Sequence, residues 1–319
     1  MARRLLSFGV SVVLFFGLVS PTFALEKIKF ATSVKLFPPY YLAVLAAQEK
    51  GIFGQNGLEA EWVSFEGGGP FMRALVARAI FVGYAGTADA IHAASRGVPV
   101  VMVADHFLGS FSFWVAGKSP IREPKDLKGA RIGVSSLASS PHIMGEVAAK
   151  ALGLERDVRF VAVGGHATRI AALRSGAIEG FITNFISVAE MAVKGEVREV
   201  VNISDHLPKP WVDNILVAHR TFVKEEPETA RKAVRSSLQG VTAVVSDAAW
   251  TVAKLKELSG YSEATAREVH EDLRKRFTRD GRIDPKGLGN VVTFLVDKGL
   301  IARDKAPRPE EFFTNEYLP

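Results

Sequence analysis

The sequence predicts an α/β protein of two lobes followed by helices. Short β-branched runs alternate with helix-period segments, and the alternation comes in two series separated by Pro120 and Pro124. From Glu225 onward every segment has helical periodicity, punctuated by Gly260, Gly281 and Gly299. At 319 residues with 48% hydrophobic content, the chain can bury a sizeable core and is long enough for two α/β lobes.

In chain order, Lys27 to Thr32 alternates Ile28 and Phe30 with polar neighbours and reads as a strand. Pro39 opens a helix that runs to Lys50 and stops at Gly51. Gly51 to Leu58 turns tightly on three glycines while Ile52 and Phe53 pack inward, and Leu58 to Phe65 is the next strand. The pattern repeats with the helix Phe71 to Ala79, the strand Ile80 to Tyr84 and the helix Ala88 to Ser95. Strand-like runs follow at Val100 to Asp105 and Phe111 to Ala116.

The second series begins with the stretch that organises the chain, Asp126 to Leu154. Arg131 to Val134 is a strand, Ser135 to Ser140 a small polar loop, and Pro141 to Leu152 a helix closed by Gly153. Pro141 suits the first helical position because its missing N–H would be unpaired there, and Ser140 can cap the free amides. Capping alone would explain a lone Ser-Pro. Four serines between a strand end and a helix start point further, to a place where amides, hydroxyls and the positive end of a helix dipole would hold an anion. Strands at Val158 to Val163, Gly180 to Thr183 and Val197 to Asn202 alternate with helices at Ala167 to Ser175 and Ile186 to Lys194. Pro208 and Pro210 precede a last strand, Asn214 to His219. The helical tail could extend the second lobe or return to the first.

The formal charge of +6 is spread over Lys and Arg that alternate with Asp and Glu, so the basic balance describes solvated helix faces rather than a nucleic-acid patch. The absence of cysteine excludes disulfides, thiolate metal sites and thiol nucleophiles. None of the seven histidines has metal-site spacing, no GxSxG elbow occurs, and neither glycine cluster fits a dinucleotide or P-loop pattern. No catalytic residue, metal ligand or cofactor is therefore assigned, and the chain is not expected to be an enzyme. His142 and His166 stand at strand-to-helix loops as possible ligand contacts. Glu66, Asp89 and Asp213 are single acids at loop positions; solvation accounts for them, with capture of a cationic ligand group as the alternative.

The first residues have the pattern of an export signal: Arg3 and Arg4, an apolar run from Leu5 to Val19, and small residues for cleavage after Ala24. A membrane anchor is the competing reading, but Pro21 interrupts a run already short for spanning a bilayer. Cleavage would remove two positive charges, +6 − 2 = +4, and release a periplasmic protein with no membrane insertion.

Five motifs in this order resemble the periplasmic solute-binding proteins of ABC importers, in the family that serves sulfonates, taurine, nitrate and thiamine pyrimidine precursors. They are Ala46 to Leu58 (AAQEKGIFGQNGL), Gly83 to Gly97 with Val98-Pro99-Val100, Asp126 to Gly129 with Ile132-Gly133-Val134, Ala172 to Gly180 (ALRSGAIEG), and Glu310 to Leu318. The resemblance implies a type II binding-protein fold, two lobes joined by two crossings, with the tail returning to the first. Residues 25–116 and 213–319 would form one lobe and 117–212 the other, a monomer closing by hinge motion on a small solute for a membrane permease. The chain lacks the cysteine-rich motif of similar pyrimidine-synthesising enzymes, and its Ser135 to Ser140 loop departs from the family's usual alanine or glycine-serine loop. A secreted enzyme or a ligand-sensing module on the same fold are the alternatives.

The expected ligand is a small organic anion, sulfonate- or carboxylate-like. Thr87 and Ser140 would grip it where a strand ends and a helix begins. Tyr40, Trp211 and Phe185 would pack on its body, and Asn184, Ser135, Ser139 and His142 would donate hydrogen bonds.

Overall fold

The computed structural model describes residues 24–34, 37–65, 67–109, 111–135, 137 and 140–319; the expected export signal, apart from Ala24, lies outside them. The chain opens with β1 (Glu26–Thr32), α1 (Pro38–Glu49), α2 (Ile52–Gln55), β2 (Leu58–Ser64), α3 (Gly68–Val76), β3 (Val82–Gly86), α4 (Thr87–Ser95) and β4 (Val100–Phe107). It continues with β5 (Phe111–Ala116), β6 (Arg131–Val134), α5 (Ser140–Ala151), β7 (Arg159–Ala162), α6 (His166–Arg174), β8 (Gly180–Asn184), α7 (Phe185–Val193) and β9 (Val197–Asn202). The last elements are β10 (Asn214–His219), α8 (Arg220–Glu225), α9 (Pro227–Ser246), α10 (Ala248–Ser259), α11 (Glu263–Arg276) and α12 (Pro285–Asp297).

The strands form two sheets of one design. The first has the order β2-β1-β3-β10-β4 and the second β7-β6-β8-β5-β9. In each, three parallel strands come from consecutive strand-helix units, and the fourth is an antiparallel strand delivered by the crossing chain. The segment Phe111–Ala116, expected within residues 25–116 of the first lobe, pairs instead with β8 and β9 of the second sheet. The first crossing thus falls between Phe107 and Phe111, ahead of the prolines that suggested it. Proline marks where a chain turns, whereas sheet membership is decided by which neighbour offers a ladder.

Both faces of the first sheet are covered, so its strands are apolar on both sides. One face packs Phe30, Tyr84 and Leu216 against Tyr41 and Leu42 of α1, Val241 of α9 and Leu273 of α11. The other packs Ala85, Met102 and Ile215 against Phe71 of α3, Ile91 of α4 and Leu295 of α12. The tail therefore completes the first lobe, as the resemblance implied. The second sheet buries Ile132 and Phe113 against Met144 and Ala148 of α5, and Phe181 against Leu173 of α6 and Val188 of α7. The glycine turn after α1 is tighter than the sequence suggests. Gly51 and Gly57, at φ 68° and 78°, bracket the one-turn helix α2, whose Ile52 and Phe53 are buried as expected.

The tail also reaches across to the second lobe. The Tyr261 hydroxyl donates to the Ile186 carbonyl at 2.8 Å, and Glu190 of α7 accepts from the Ser262 amide at 3.0 Å. On another element, Lys298 at the end of α12 lies 3.6 Å from Glu146 of α5.

Candidate functional site

Strand ends build the site. Ser33 and Val34 follow β1, Gly86 passes directly into Thr87 of α4, Phe107 and Gly109 end β4, and Asp213 and Asn214 begin the antiparallel β10. The second lobe contributes Asn184 and Ser187 at the β8-to-α7 junction, Ile143 and Met144 of α5, and Phe111; α12 adds Phe294 and Leu295. Together they line a cavity of about 570 Å³, the size of a small-molecule site at the carboxyl ends of strands. Phe37, Tyr40, Phe107, Phe111, Trp211 and Phe294 give the walls an aromatic share. Phe37 meets Tyr40 edge-on at 4.9 Å, Tyr40 stacks on Tyr84 at 5.6 Å, and Trp211 meets Phe294 edge-on at 5.5 Å.

Of the residues assigned from sequence, Tyr40, Thr87, Asn184 and Trp211 line this cavity. Thr87 is 1% exposed, and neither its hydroxyl nor the Trp211 indole nitrogen has a hydrogen-bond partner. A buried donor left unpaired costs roughly 1–3 kcal/mol, so two of them at one cavity wall are polar groups suited to a ligand. Asn184 caps α7 by accepting from the Ser187 amide and hydroxyl, both at 2.9 Å.

The remaining assignments go elsewhere. Phe185 turns into the protein and stacks on Trp114 at 6.3 Å, because the residue after the capping Asn184 faces the sheet. His142 lies over Phe160 and 3.7 Å from Glu146, one turn along α5, outside the cavity lining. Ser135 holds the Gly164 amide through its carbonyl at 3.1 Å and does not line the cavity either. Ser139 and the side chain of Ser140 lie outside the described residues. His166 is also absent from the lining; it packs edge-on against Phe181.

Two acids that read as solvated in the sequence line the cavity, Asp89 in the first turn of α4 and Asp213 at the start of β10. Asp213 accepts from its neighbour Asn214 at 2.7 Å, and its carboxylate lies so close to Gly109 that a Cβ there would come within 1.8 Å of Oδ2. Asn214 in turn receives the Tyr40 hydroxyl. Asp89 packs on Gly68, where a Cβ would approach its Oδ2 to 2.2 Å. Neither side-chain type nor spacing foretold this; strand pairing across the first sheet brings both residues to one cavity, with the Thr87 amide bonded to the Asp213 carbonyl at 2.8 Å.

Burial, then the nearby charge of Asp105, raises the Asp213 pKa to about 7, although Asp213 keeps some exposure to the cleft. Burial also raises that of the more exposed Asp89 and, with both carboxylates adding to it, that of the Tyr40 phenol. An acid whose folded pKa is raised binds protons more readily in the native state. Its contribution to stability is complete below the unfolded value and is lost as pH rises through the folded one. The histidines His92, His106, His166 and His219 have lowered values and act in the opposite sense, so they must be cancelled by comparison. Asp213→Asn is therefore expected to gain roughly 1–2 kcal/mol relative to the unsubstituted protein between pH 5 and pH 8, allowing for screening at the cleft. Paired denaturant titrations across that range measure it.

Residues 38–249, well over half of the chain, match the family described as NMT1/THI5-like. The chain is 26% identical over 229 residues to the taurine-binding periplasmic protein of Escherichia coli K12, covering 69% of this chain and 70% of that protein. Among solved structures, the periplasmic aliphatic sulphonate binding protein SsuA of Escherichia coli superposes with a TM-score of 0.77 at 18% identity, covering 92% of this chain and 99% of that one. The alkanesulfonate-binding SsuA of Xanthomonas axonopodis pv. citri, bound to MOPS, gives 0.71 at 17% identity over 91% and 99% of the two chains. The names of these relatives describe binding proteins, and the two solved structures share the fold of this chain. The family match, extending from α1 into α10 and spanning both sheets, shows that this chain belongs to the NMT1/THI5-like family.

Proposed function

We propose that the chain is the solute-binding component of an ABC importer, acting in the periplasm and handing a small organic solute to a membrane permease. The observation that carries this reading is the cavity itself, lined by Thr87 and Asp213 from one sheet and by Asn184 and Met144 from the other lobe. Among the described residues no helix is long and apolar enough to cross a membrane. The lobes proposed to move are residues 25–107 with 214–319, and residues 111–202, hinged at the two crossings.

A sulfonate- or carboxylate-like group on the solute is supported by the names of the relatives and by the helix N-termini at the cavity. On the first-lobe side that position is already taken by carboxylates: Asp89 lies in the first turn of α4 and against the first residue of α3. The acidic group is accordingly proposed to face the start of α7, where Ser187 is exposed to the cavity. Thr87 contacts the opposite end of the solute.

Thermal-shift screening of taurine, alkanesulfonates, carboxylates, amines and neutral alcohols tests the reading. A saturating acid-bearing solute should raise the unfolding temperature by several degrees, and Thr87→Ala should weaken its binding by about tenfold. A panel in which no solute of any charge shifts the transition overturns it.

A further inference from the structure

We propose that the cavity holds a cationic nitrogen of its solute, an ammonium or amidinium group, between Asp89 and Asp213 with the Thr87 hydroxyl as a third acceptor. The inference rests on the importer reading above and specifies its solute as one carrying both an acidic and a basic group.

Among the described residues, no lysine or arginine lines the cavity, and neither Asp89 nor Asp213 has an ion-pair partner. Arg276 attracts Asp213 only at longer range and is itself bound to Asp272 at 2.6 Å. A carboxylate offers about four lone-pair positions. The Gly109 amide and Asn214 occupy part of that capacity on Asp213, so acceptor positions remain for a cation. The independent observation is Thr87, a cavity-lining residue 1% exposed whose buried hydroxyl has no partner. Its amide donates to the Asp213 carbonyl at 2.8 Å, which ties the two residues together. Tyr40, buried behind them, feels both carboxylates, so the two charges act on one point. The aromatic side chains Phe37 and Trp211 line the same cavity.

The charged groups that act on Asp213 are Asp105 on β4 and Arg276 on α11; Asp89 and His92 of α4 and the neutral Tyr40 phenol of α1 line the same cavity. Their balance leaves Asp213 partly protonated near neutral pH. A bound cation favours the ionised form and must expel that proton.

The test uses twins that differ only at the nitrogen: taurine beside isethionate, and 4-(aminomethyl)benzenesulfonate beside 4-(hydroxymethyl)benzenesulfonate, with phenethylammonium as a cation lacking an acid. In at least one pair the amino twin should bind about 10- to 100-fold more tightly. That advantage should vanish in Asp213→Asn and shrink in Asp89→Asn, while the hydroxy twin is unaffected. Calorimetry at pH 6.5 in two buffers of different ionisation enthalpy should show proton release for the amino twin, lost in Asp213→Asn. Because Asn keeps the shape of Asp, circular dichroism and hydroxy-twin binding report that the fold survives. Equal binding of the twins, or an amino advantage that persists in both variants, overturns the cation site and leaves the importer reading standing. Binding of phenethylammonium alone supports the cation site and removes the acidic group. A protein that binds none of the probes overturns both.

Discussion

Trp211→Ala is expected to cost about 3 kcal/mol of stability and to reduce solute affinity about 100-fold. Trp211 stands at the second crossing and packs against the core of the first lobe's outer face and the core of the second lobe, besides meeting Phe294 edge-on. Truncating it removes a ring that touches both of these cores and takes a wall from the cavity. Trp211→Phe separates the two contributions. It keeps an aromatic face but deletes an indole N–H that is buried without an acceptor, so the ligand-free protein should lose little stability. If that N–H donates to the solute, affinity should still fall about tenfold. Denaturant unfolding and calorimetry on both variants read this out. An alanine variant that binds its solute as tightly as the unsubstituted protein would count against the cavity as the binding site.

Gly240→Ala is expected to destabilise the protein by roughly 2–3 kcal/mol. In an exposed helix the same change would stabilise by about 1 kcal/mol, so the predicted sign is opposite to propensity. The reason is contact between α9 and α1. A Cβ on Gly240 would lie 2.3 Å from the Ala43 carbonyl oxygen and 3.3 Å from the Ala47 methyl, both on the backbone or stub of a packed helix. The clash can be relieved only by moving α1 and α9 apart. Because α1 carries Tyr40 at the cavity, solute affinity should fall with stability, and thermal unfolding with and without solute would show both. A stabilised Gly240→Ala protein would mean that the helices can separate at no cost.

Much of the architecture is legible in the sequence because it is local. Period-two and helix-period patterns place β5, β6, β9 and β10 at their observed bounds and α1 and α3 to α7 within a few residues of theirs, while the helices after Glu225 read only as a helical tail. The start of α3 is missed: Gly68 and Gly69 read as loop, yet they form its first turn, where a missing side chain lets Asp89 approach. Tyr40, Thr87, Asn184 and Trp211 all line the cavity; Thr87 is reached from the rule that ligands gather where strands end, Tyr40 and Trp211 as aromatics at loop ends. Phe185, chosen the same way as Tyr40 and Trp211, lies one position past the lining Asn184 and faces elsewhere, since a helix turns successive side chains about a hundred degrees apart. Asp89 and Asp213 could not be chosen on that basis. They are far apart in the chain, each reads as an ordinary acid, and only the antiparallel pairing of β10 with β3 brings the residues that carry them to one cavity.

The exchange of strands between the two sheets also sets an order of assembly. β3 and β4 of the first sheet do not pair with each other; β10 lies between them, and β10 is made only after the whole second sheet. During synthesis the first sheet therefore exists as two fragments with open edges, while every strand of the second is available before Asn214 emerges. Long-range closures of this kind are slow. Until Asn214 is made the first sheet cannot close whereas the second can, so the second lobe is expected to gain its structure first although it lies in the middle of the chain.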